Sequence, residues 1–306
     1  MKICFFGLGS IGHKHIRNIN KIFSDKDIEI HAYRNTNKPL DGEIKKYIRK
    51  EIFNFDELDF YDVIFITNPT SLHFETIQKI ISKTKHMFIE KPLFSSTKDN
   101  INEINFNKSA IYYVACPLRY NPVIKFIKDL VKEKDVYSVR AICSSYLPEW
   151  RPNIDYRKNY SALKSLGGGV SLDLIHEIDY LTYLFGFPNS VINKRNKFSH
   201  LEVETDDISI YFMEYLDKYV EVHLDYFGRV PRREIELFTK DDIVIGDLIN
   251  LKVTFIKENK IIDLSNSENE DIEELKYYFQ CVSNNVKTHN EVDYAYKVLK
   301  LSEGEI

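Results

Sequence analysis

Three glycines near the start of the chain, Gly7, Gly9 and Gly12, constrain its fold more than any other feature, because their spacing is G-x-G-x-x-G. They follow a short apolar run, residues 2–6, that is typical of a β-strand, and they precede a segment whose apolar residues have helical spacing. In that strand–turn–helix setting the first glycine permits a tight turn, the second lets the backbone approach a pyrophosphate, and the third lets the helix pack closely. The motif therefore predicts a dinucleotide site. Its predicted phosphate-binding residues are Gly7, Gly9, Ser10, Ile11 and Gly12.

The order of strand-like and helical segments predicts two domains. Apolar runs at 62–67 and 87–89 alternate with helical segments, which indicates right-handed βαβ crossovers and a doubly wound parallel sheet. From 191 to 264 short β-rich runs follow one another and predict an open, mainly antiparallel sheet. We therefore predict an α/β chain with a Rossmann dinucleotide-binding domain at 1–116. An α+β domain at 117–306 would bind substrate and mediate oligomerisation.

Charge and cysteine content exclude several classes of protein. With 42 Lys and Arg against 46 Asp and Glu, the net charge is −4, so no basic excess points to nucleic acid or an anionic membrane. The four cysteines form no CxxC pair, and free thiols fit a reducing cytosol. No apolar run approaches a membrane span, and the histidines lack metal-ligand spacing. We expect a cytoplasmic protein without a metal.

The end of the second predicted strand bears on the choice of dinucleotide. NAD-binding domains usually place a carboxylate there for the ribose 2′-hydroxyl, but residues 33–38 contain none. Arg34 could instead pair with the 2′-phosphate of NADP, although an ordinary surface arginine is an equal alternative. The cofactor is therefore expected to be NAD or NADP, with a weak preference for NADP.

Four further segments, taken with the glycine motif, resemble the glucose–fructose oxidoreductase/inositol dehydrogenase/MocA family of NAD(P)-dependent oxidoreductases. They are Thr-Asn-Pro-Thr-Ser-Leu-His at 67–73, Glu-Lys-Pro at 90–92, Arg-Tyr-Asn-Pro at 119–122, and Gly-Gly-Gly at 167–169 leading into 173–179. The resemblance covers nearly the whole chain. It implies a Rossmann domain followed by a second domain whose open sheet often mediates oligomerisation. It also implies sugars, cyclitols or nucleotide-linked sugars as substrates, with some relatives in surface-polysaccharide synthesis.

The resemblance also implies roles for individual residues. Lys91 matches the family's lysine near the nicotinamide and the substrate hydroxyl, His176 its general acid/base, and Asp173 the aspartate before that histidine. The other matching cofactor-loop residues are Asn68, Pro69, His73 and Glu90. Many members place the aspartate four residues before the histidine, whereas here the spacing is three. A helix is predicted from Gly169 to Phe185, and on one continuous helix either spacing keeps the two side chains on one face. Which of Asp173, Glu177 and Asp179 supports His176 stays open.

These residue types suit the oxidation of a secondary alcohol. A histidine titrates near neutral pH and can take the hydroxyl proton, and an ammonium stabilises the developing alkoxide. A carboxylate can orient the imidazole and support its charged form. We therefore predict Lys91, His176 and Asp173 as the catalytic residues.

The segment from Tyr146 to Tyr160 contains the only tryptophan of the chain together with arginines and tyrosines, residue types that bind sugars and phosphates. We predict a polyhydroxylated and anionic substrate, such as a sugar acid or a nucleotide-activated sugar. The alternative, that the arginines pair with acidic groups or line a subunit interface, stays open. The predicted substrate-binding residues are Arg119, Tyr120, Trp150, Arg151, Tyr156, Arg157 and His176.

The main functional hypothesis is a sugar oxidoreductase that assembles as a homodimer or homotetramer. A lyase or dehydratase that holds NAD tightly and is redox-neutral overall is an alternative within the same fold. A non-catalytic dinucleotide sensor is a third hypothesis, which the presence of Lys91 and His176 disfavours because a sensor needs no proton acceptor.

Overall fold

The computed structural model describes residues 1–23 and 28–306. The chain divides into two compact units, one formed by residues 1–115 with 271–296 and the other by residues 116–270 with 297–306.

The first unit contains a six-stranded parallel sheet in the order β3-β2-β1-β4-β5-β6. Its strands are β1 (Lys2–Phe6), β2 (Glu29–Tyr33), β3 (Ile48–Ile52), β4 (Tyr61–Ile66), β5 (Thr84–Ile89) and β6 (Tyr112–Val114). Helices in its connections are α1 (Ser10–Ile22), α2 (Gly42–Lys45) and α3 (His73–Ile80). This strand order is that of the Rossmann fold, in which ligands bind where the order reverses, between β1 and β4.

The central strands of this sheet are apolar because both of their faces are covered. Phe5, Phe65 and Phe88 lie side by side on β1, β4 and β5, with ring centroids 4.7 and 4.8 Å apart and no exposed surface. The continuous apolar runs of the sequence thus become the core beneath the glycine turn.

The second unit contains an eight-stranded sheet in the order β14-β13-β12-β11-β7-β10-β9-β8. Its strands are β7 (Val136–Tyr146), β8 (Ser190–Asn196), β9 (Ile208–Glu214), β10 (Tyr219–Asp225), β11 (Phe227–Thr239), β12 (Ile243–Asp247), β13 (Lys252–Phe255) and β14 (Lys260–Asp263). Its helices are α4 (Pro122–Glu133), α5 (Val170–Asp173) and α6 (His176–Phe185). All neighbouring strands are antiparallel except β7 and β10, which are parallel. The predicted fold class is therefore confirmed.

The last two helices, α7 (Glu270–Asn284) and α8 (Val292–Ser302), correct the extent of the second domain. The prediction assigned 117–306 to that domain, but residues 271–296 pack with the parallel sheet. The Tyr278 and Phe279 rings of α7 contact Phe65, and Tyr278 also contacts Phe88, at centroid distances of 5.3–6.3 Å. Aromatic residues on this helix therefore complete the core of the first unit.

Among the residues that the structure describes, no helix is long and apolar enough to cross a membrane.

Candidate active site

The glycine turn joins β1 to α1 as its spacing predicts. Gly7 has a φ of +108°, which side chains disfavour, and a Cβ there would lie 2.5 Å from the backbone nitrogen of Asn68. A Cβ at Gly12 would lie 2.5 Å from the carbonyl oxygen of Gly7. The Thr67 hydroxyl donates to that same oxygen at 2.6 Å. The turn is thus held against the end of β4, and the first turn of α1 packs directly on it.

The N-terminus of α1 has the features of an anion site. Gly9 is its N-cap and has no side chain to accept from the first backbone N–H groups, and the first turn carries no acidic residue. A Cβ built on Gly9 meets nothing within 4 Å, so the turn faces open space. The N–H groups and the positive end of the helix dipole suit a phosphate. The residues of this turn therefore fit a pyrophosphate.

A cleft of about 440 Å³ extends from this turn across the carboxyl ends of β2 and β4. The rings of Tyr33 and Phe55, 4.7 Å apart, lie on its apolar side. The Oδ1 atom of Asn68 is buried and has no hydrogen-bond partner among the described residues, so it offers an acceptor to a ligand. The lining residues include Gly7, His13, Tyr33, Arg34, Asn35, Thr36, Asp41, Phe55, Asn68, Pro69, Glu75 and Lys79.

Arg34 lies on this cleft, yet its guanidinium is engaged by the protein. Its Nη1 atom donates to Oε2 of Glu51, and its Nη2 atom donates to the carbonyl oxygen of Lys38. The side chain is only 10% exposed. The carboxylate of Glu51 neutralises the charge on which the expected preference for NADP depends.

His73, an expected cofactor residue, is fully buried beneath the cleft. Its ring nitrogens lie 3.0 Å from the carbonyl oxygen of Asn68 and 3.1 Å from that of Leu93. Burial is the main cause that lowers the pKa of His73. The imidazole links the loop after β4 to the loop after β5, which is a structural role.

The loop after β5 carries Glu90 and Lys91. Oε1 of Glu90 lies 2.5 Å from Nε2 of His15, which is 2% exposed and sits on α1. The backbone N–H of Lys91 donates to Oε2 of Glu90 at 3.3 Å. Burial raises the pKa of Glu90, but the hydrogen bond and charge of His15, followed by the charge of Lys91, outweigh it and hold the pKa below its ordinary value. His15 thereby connects the glycine-turn helix to the loop of Lys91.

His15 is not among the site residues predicted from the sequence. The available signal was its position one helical turn after Gly12, on the face that packs on the sheet.

In the second unit, the predicted helix through Gly169 to Phe185 is interrupted. Helix α5 ends at Asp173 and α6 begins at His176, with Leu174 at φ −98° and ψ 28° between them. Asp173 and His176 are both half-buried and lie on either side of this break. The expectation that one continuous helix puts them on one face is therefore wrong, and the turn between the two helices sets their separation.

Three carboxylates were candidates to support His176, and two of them form ion pairs with arginines. Glu177, with no exposed surface, accepts from Nε of Arg233 at 2.7 Å. Asp179 accepts from Nε and Nη2 of Arg119 at 2.9 and 2.6 Å. Arg119 is only 2% exposed, so it serves this buried ion pair and is not displayed to a substrate as the sequence analysis expected.

Asp173 has a different kind of partner. Its Oδ2 atom accepts a hydrogen bond from the hydroxyl of Tyr226 at 2.7 Å. Tyr226 is fully buried, and the Trp150 ring meets it edge-on at a centroid distance of 5.3 Å. The indole N–H of Trp150 donates to the Ser145 hydroxyl at 2.8 Å. The structure thus brings the predicted residues Asp173 and Trp150 together through a tyrosine that the sequence analysis did not single out.

The remaining predicted substrate residues lie in more open positions. Arg151 donates to the Asn159 side chain at 2.9 Å, and Arg157 pairs with Asp155 at 2.9 Å and with Glu202 at 3.4 Å. Both arginines are exposed. Tyr156 and Tyr120 are half-buried, and the Tyr156 hydroxyl accepts from the backbone N–H of Glu202.

Metal-ligating side chains do not cluster in the described parts of the chain. Across residues 1–23 and 28–306, no group of three or more His, Cys, Asp or Glu residues could hold a metal ion.

A parallel sheet in this order, with an uncapped helix N-terminus opening on a cleft where the order reverses, defines a dinucleotide-binding Rossmann protein. Comparison with known proteins agrees. The family model described as "Oxidoreductase family, NAD-binding Rossmann fold" matches residues 1–107. Over these residues the predicted resemblance to the glucose–fructose oxidoreductase/inositol dehydrogenase/MocA family is confirmed.

The curated relatives are distant and match in part. A myo-inositol 2-dehydrogenase of Thermotoga maritima is 26% identical over 194 residues, which cover 61% of this chain and 55% of the relative. The chain thus spans about half the length of the curated relatives it matches.

Solved structures extend the fold likeness to both units. A levoglucosan dehydrogenase in complex with NADH superimposes with a TM-score of 0.83 at 15% identity, covering 99% of this chain and 95% of that one. The WlbA dehydrogenase from Bordetella pertussis, in complex with NADH and UDP-GlcNAcA, gives a TM-score of 0.79 at 15% identity, covering 99% and 94%. At this identity the likeness establishes the fold.

Proposed function

We propose that the protein is a nicotinamide-dependent oxidoreductase that interconverts a secondary hydroxyl and a carbonyl on a sugar or sugar derivative. The observation that carries this proposal is the uncapped N-terminus of α1, which opens on the cleft and is joined through His15 and Glu90 to the loop of Lys91. The match of residues 1–107 to the oxidoreductase family model supports it.

We assign the phosphate-binding role to the glycine turn and the nearby adenosine-binding role to the cleft between Tyr33, Arg34 and Pro69. When bound, a nicotinamide dinucleotide supplies the hydride chemistry. The expected choice between NAD and NADP is a separate question, because it depends on the charge around Arg34.

The protein's own residues manage the oxygen and its proton. In this proposal the ammonium of Lys91 stabilises negative charge on the substrate oxygen, and His176 takes the hydroxyl proton during oxidation and returns it during reduction. Asp173, held by Tyr226, supports the imidazolium form of His176. Glu177 and Asp179 are less suited to that role because arginines already neutralise them.

The substrate class is proposed as a sugar, sugar acid or nucleotide-activated sugar. Trp150 beside Tyr226 and Asp173 provides an aromatic surface and an acceptor, which suit a sugar ring. The names of the related structures, levoglucosan dehydrogenase and a dehydrogenase bound to UDP-GlcNAcA, point to the same class. The exposed Arg151 and Arg157 are the candidates for an anionic part of the substrate.

We also propose a cytoplasmic homo-oligomer. The four cysteines are buried and free, which fits a reducing compartment. Apolar side chains on one face of the eight-stranded sheet, among them Ile192, Phe212 and Tyr219, are 41–59% exposed and suit a contact with a second copy.

The test is to titrate the purified protein with NADH and NADPH and then measure turnover on a panel of sugars, sugar acids and sugar nucleotides. We expect Lys91→Ala and His176→Ala to lower kcat at least a hundredfold, consistent with loss of charge stabilisation or of a general base. Lys85→Ala is the matched control, because Lys85 lies on β5 with its side chain 59% exposed and paired with Asp62. Failure to bind either dinucleotide, or near-wild-type turnover of both alanine variants, would contradict the proposal.

A further inference from the structure

We propose that Glu51 sets the cofactor preference of the cleft: by neutralising Arg34 it makes the protein favour NAD(H) over NADP(H). This inference rests on the proposed dinucleotide site. It reverses the preference that the sequence around Arg34 predicts.

The pair is fixed by the parallel sheet. Glu51 lies on β3 opposite Ala32 of β2 in the strand register. The backbone N–H of Arg34 donates to the carbonyl oxygen of Ile52 at 2.9 Å, which extends the contact of the two strands by one residue. Glu51 and Arg34 are thus both held by the backbone at this end of the sheet, and their contact does not depend on a mobile loop.

Both terminal nitrogens of the Arg34 guanidinium donate hydrogen bonds within the protein. One terminal nitrogen donates to Glu51 and the other to the carbonyl oxygen of Lys38. A phosphate is recognised best when both terminal nitrogens face it together. Since the Arg34 side chain is 10% exposed and Glu51 is 28% exposed, water screens this pair less than it would a surface pair.

The other charged groups of the cleft do not replace Arg34. Asp41 and Glu75 line it and are acidic, and Lys79 lies 3.9 Å from Glu75. Burial, followed by the charge of Arg17, lowers the pKa of His13, which therefore favours its neutral form. A 2′-phosphate next to Arg34 would meet the carboxylate of Glu51 within a few ångströms.

A 2′-hydroxyl meets no such repulsion. Asn35 and Thr36 follow Arg34 on the cleft wall and offer neutral donors and acceptors of the kind that bind a ribose. NAD therefore suits this end of the cleft even though it lacks the usual carboxylate.

The experiment is a fluorescence titration of the full chain with NADH and NADPH, without any substrate. We expect the wild type to bind NADH more tightly than NADPH. Glu51→Gln keeps the size of the side chain and removes its charge, so we expect it to tighten NADPH binding about tenfold and to leave the Kd for NADH within about twofold.

Glu43→Gln is the matched control. Glu43 forms an ion pair with Arg17 at 2.8 Å in the same unit but does not line the cleft, so its removal should leave the NADPH/NADH ratio of Kd values unchanged. The double variant Arg34→Gln/Glu51→Gln should lose the NADPH gain, because the gain requires the released guanidinium.

A wild type that prefers NADPH, or a Glu51→Gln variant with an unchanged ratio, would overturn the role of Glu51 while leaving the dinucleotide site intact. Loss of binding of both dinucleotides in the wild type would overturn the proposed function as well. Circular dichroism checks that each variant is folded. If Glu51→Gln does not fold, Arg34→Gln decides: on this inference it weakens NADPH binding less than threefold, and a loss of threefold or more contradicts it.

Discussion

A buried contact between the side chains of His15 and Glu90 connects α1, the helix of the glycine turn, to the loop of Lys91. Burial raises the pKa of Glu90, but the hydrogen bond and charge of His15 outweigh this effect, so the pKa lies below its ordinary value. A carboxyl group with a depressed pKa in the folded state stabilises that state above its unfolded pKa of about 4.3. This contribution is lost as the pH falls below that value, through the pKa of the folded state.

Glu90→Gln should therefore lower the free energy of unfolding by about 1–3 kcal/mol at pH 7, since it removes a buried charged hydrogen bond. The difference from the wild type should shrink as the pH falls below about 4.3, because the unfolded chain then takes up a proton at Glu90, and it disappears as the pH falls through the lower pKa of the folded state. Urea unfolding of both proteins between pH 7 and pH 3.5 measures this difference. A gap that stays constant over the whole range would contradict the role of the ionised carboxylate.

Arg34 and Arg119 show what a sequence pattern omits at this scale. Both are arginines in plausible ligand-binding positions, yet Glu51 and Asp179 neutralise them from 17 and 60 residues away. The glycine turn was predictable because its requirement is local: a tight bend and close backbone approach. The partner of a long charged side chain depends on which strands and helices become neighbours, and local spacing does not record that.

The first turn of α1 packs closely on the glycine turn before it, and the function of this helix depends on that close packing. A Cβ on Gly12 would lie 2.5 Å from the Gly7 carbonyl oxygen and 3.2 Å from the Thr67 hydroxyl. Gly12→Ala should therefore displace the helix, weaken NADH binding at least tenfold and lower the free energy of unfolding by about 1–3 kcal/mol. Fluorescence titration and urea unfolding measure the two effects.

Gly42→Ala is the control for this prediction. Gly42 also begins a helix, α2, but a Cβ there meets nothing within 4 Å. Alanine at that position should leave NADH binding unchanged. Equal losses in both variants would indicate a general sensitivity to glycine replacement and would contradict the role of close packing at Gly12.

Helix boundaries and helix docking were harder to predict than the two types of sheet. A single helix is predicted from Gly169 to Phe185, but the sequence does not locate the break at Leu174, whose backbone leaves the helical region. Likewise, the sequence of α7 does not indicate which of the two sheets this helix covers. The helix covers the parallel sheet because Tyr278 packs against Phe65 and Phe88, which lie on that sheet.

For the whole molecule, the two sheets were predictable because their patterns differ in kind. Strands buried on both faces have continuous apolar runs, as from Val63 to Ile66 in β4, whereas β9 alternates between buried and exposed residues. The alternation leaves one face of β9 exposed in the single chain. Ile192 on β8 lies opposite Phe212 on β9, and the ring of Phe212 stacks on that of Tyr219 at a centroid distance of 5.0 Å.

If this face joins two copies, a charge placed in its centre should separate them, because an unpaired carboxylate is costly to bury. We expect the native mass from light scattering to be a multiple of 36.1 kDa and the Phe212→Glu variant to give 36.1 kDa itself. Val286→Glu serves as the control, since Val286 is 57% exposed but lies in the first unit. A wild type that is monomeric at micromolar concentration would contradict the proposed oligomer. If the Phe212→Glu variant is still an oligomer, the interface lies on another surface of the protein. The assembly and the dinucleotide cleft can thus be tested independently, because Phe212 lies on the eight-stranded sheet and the residues lining the cleft belong to the parallel-sheet unit.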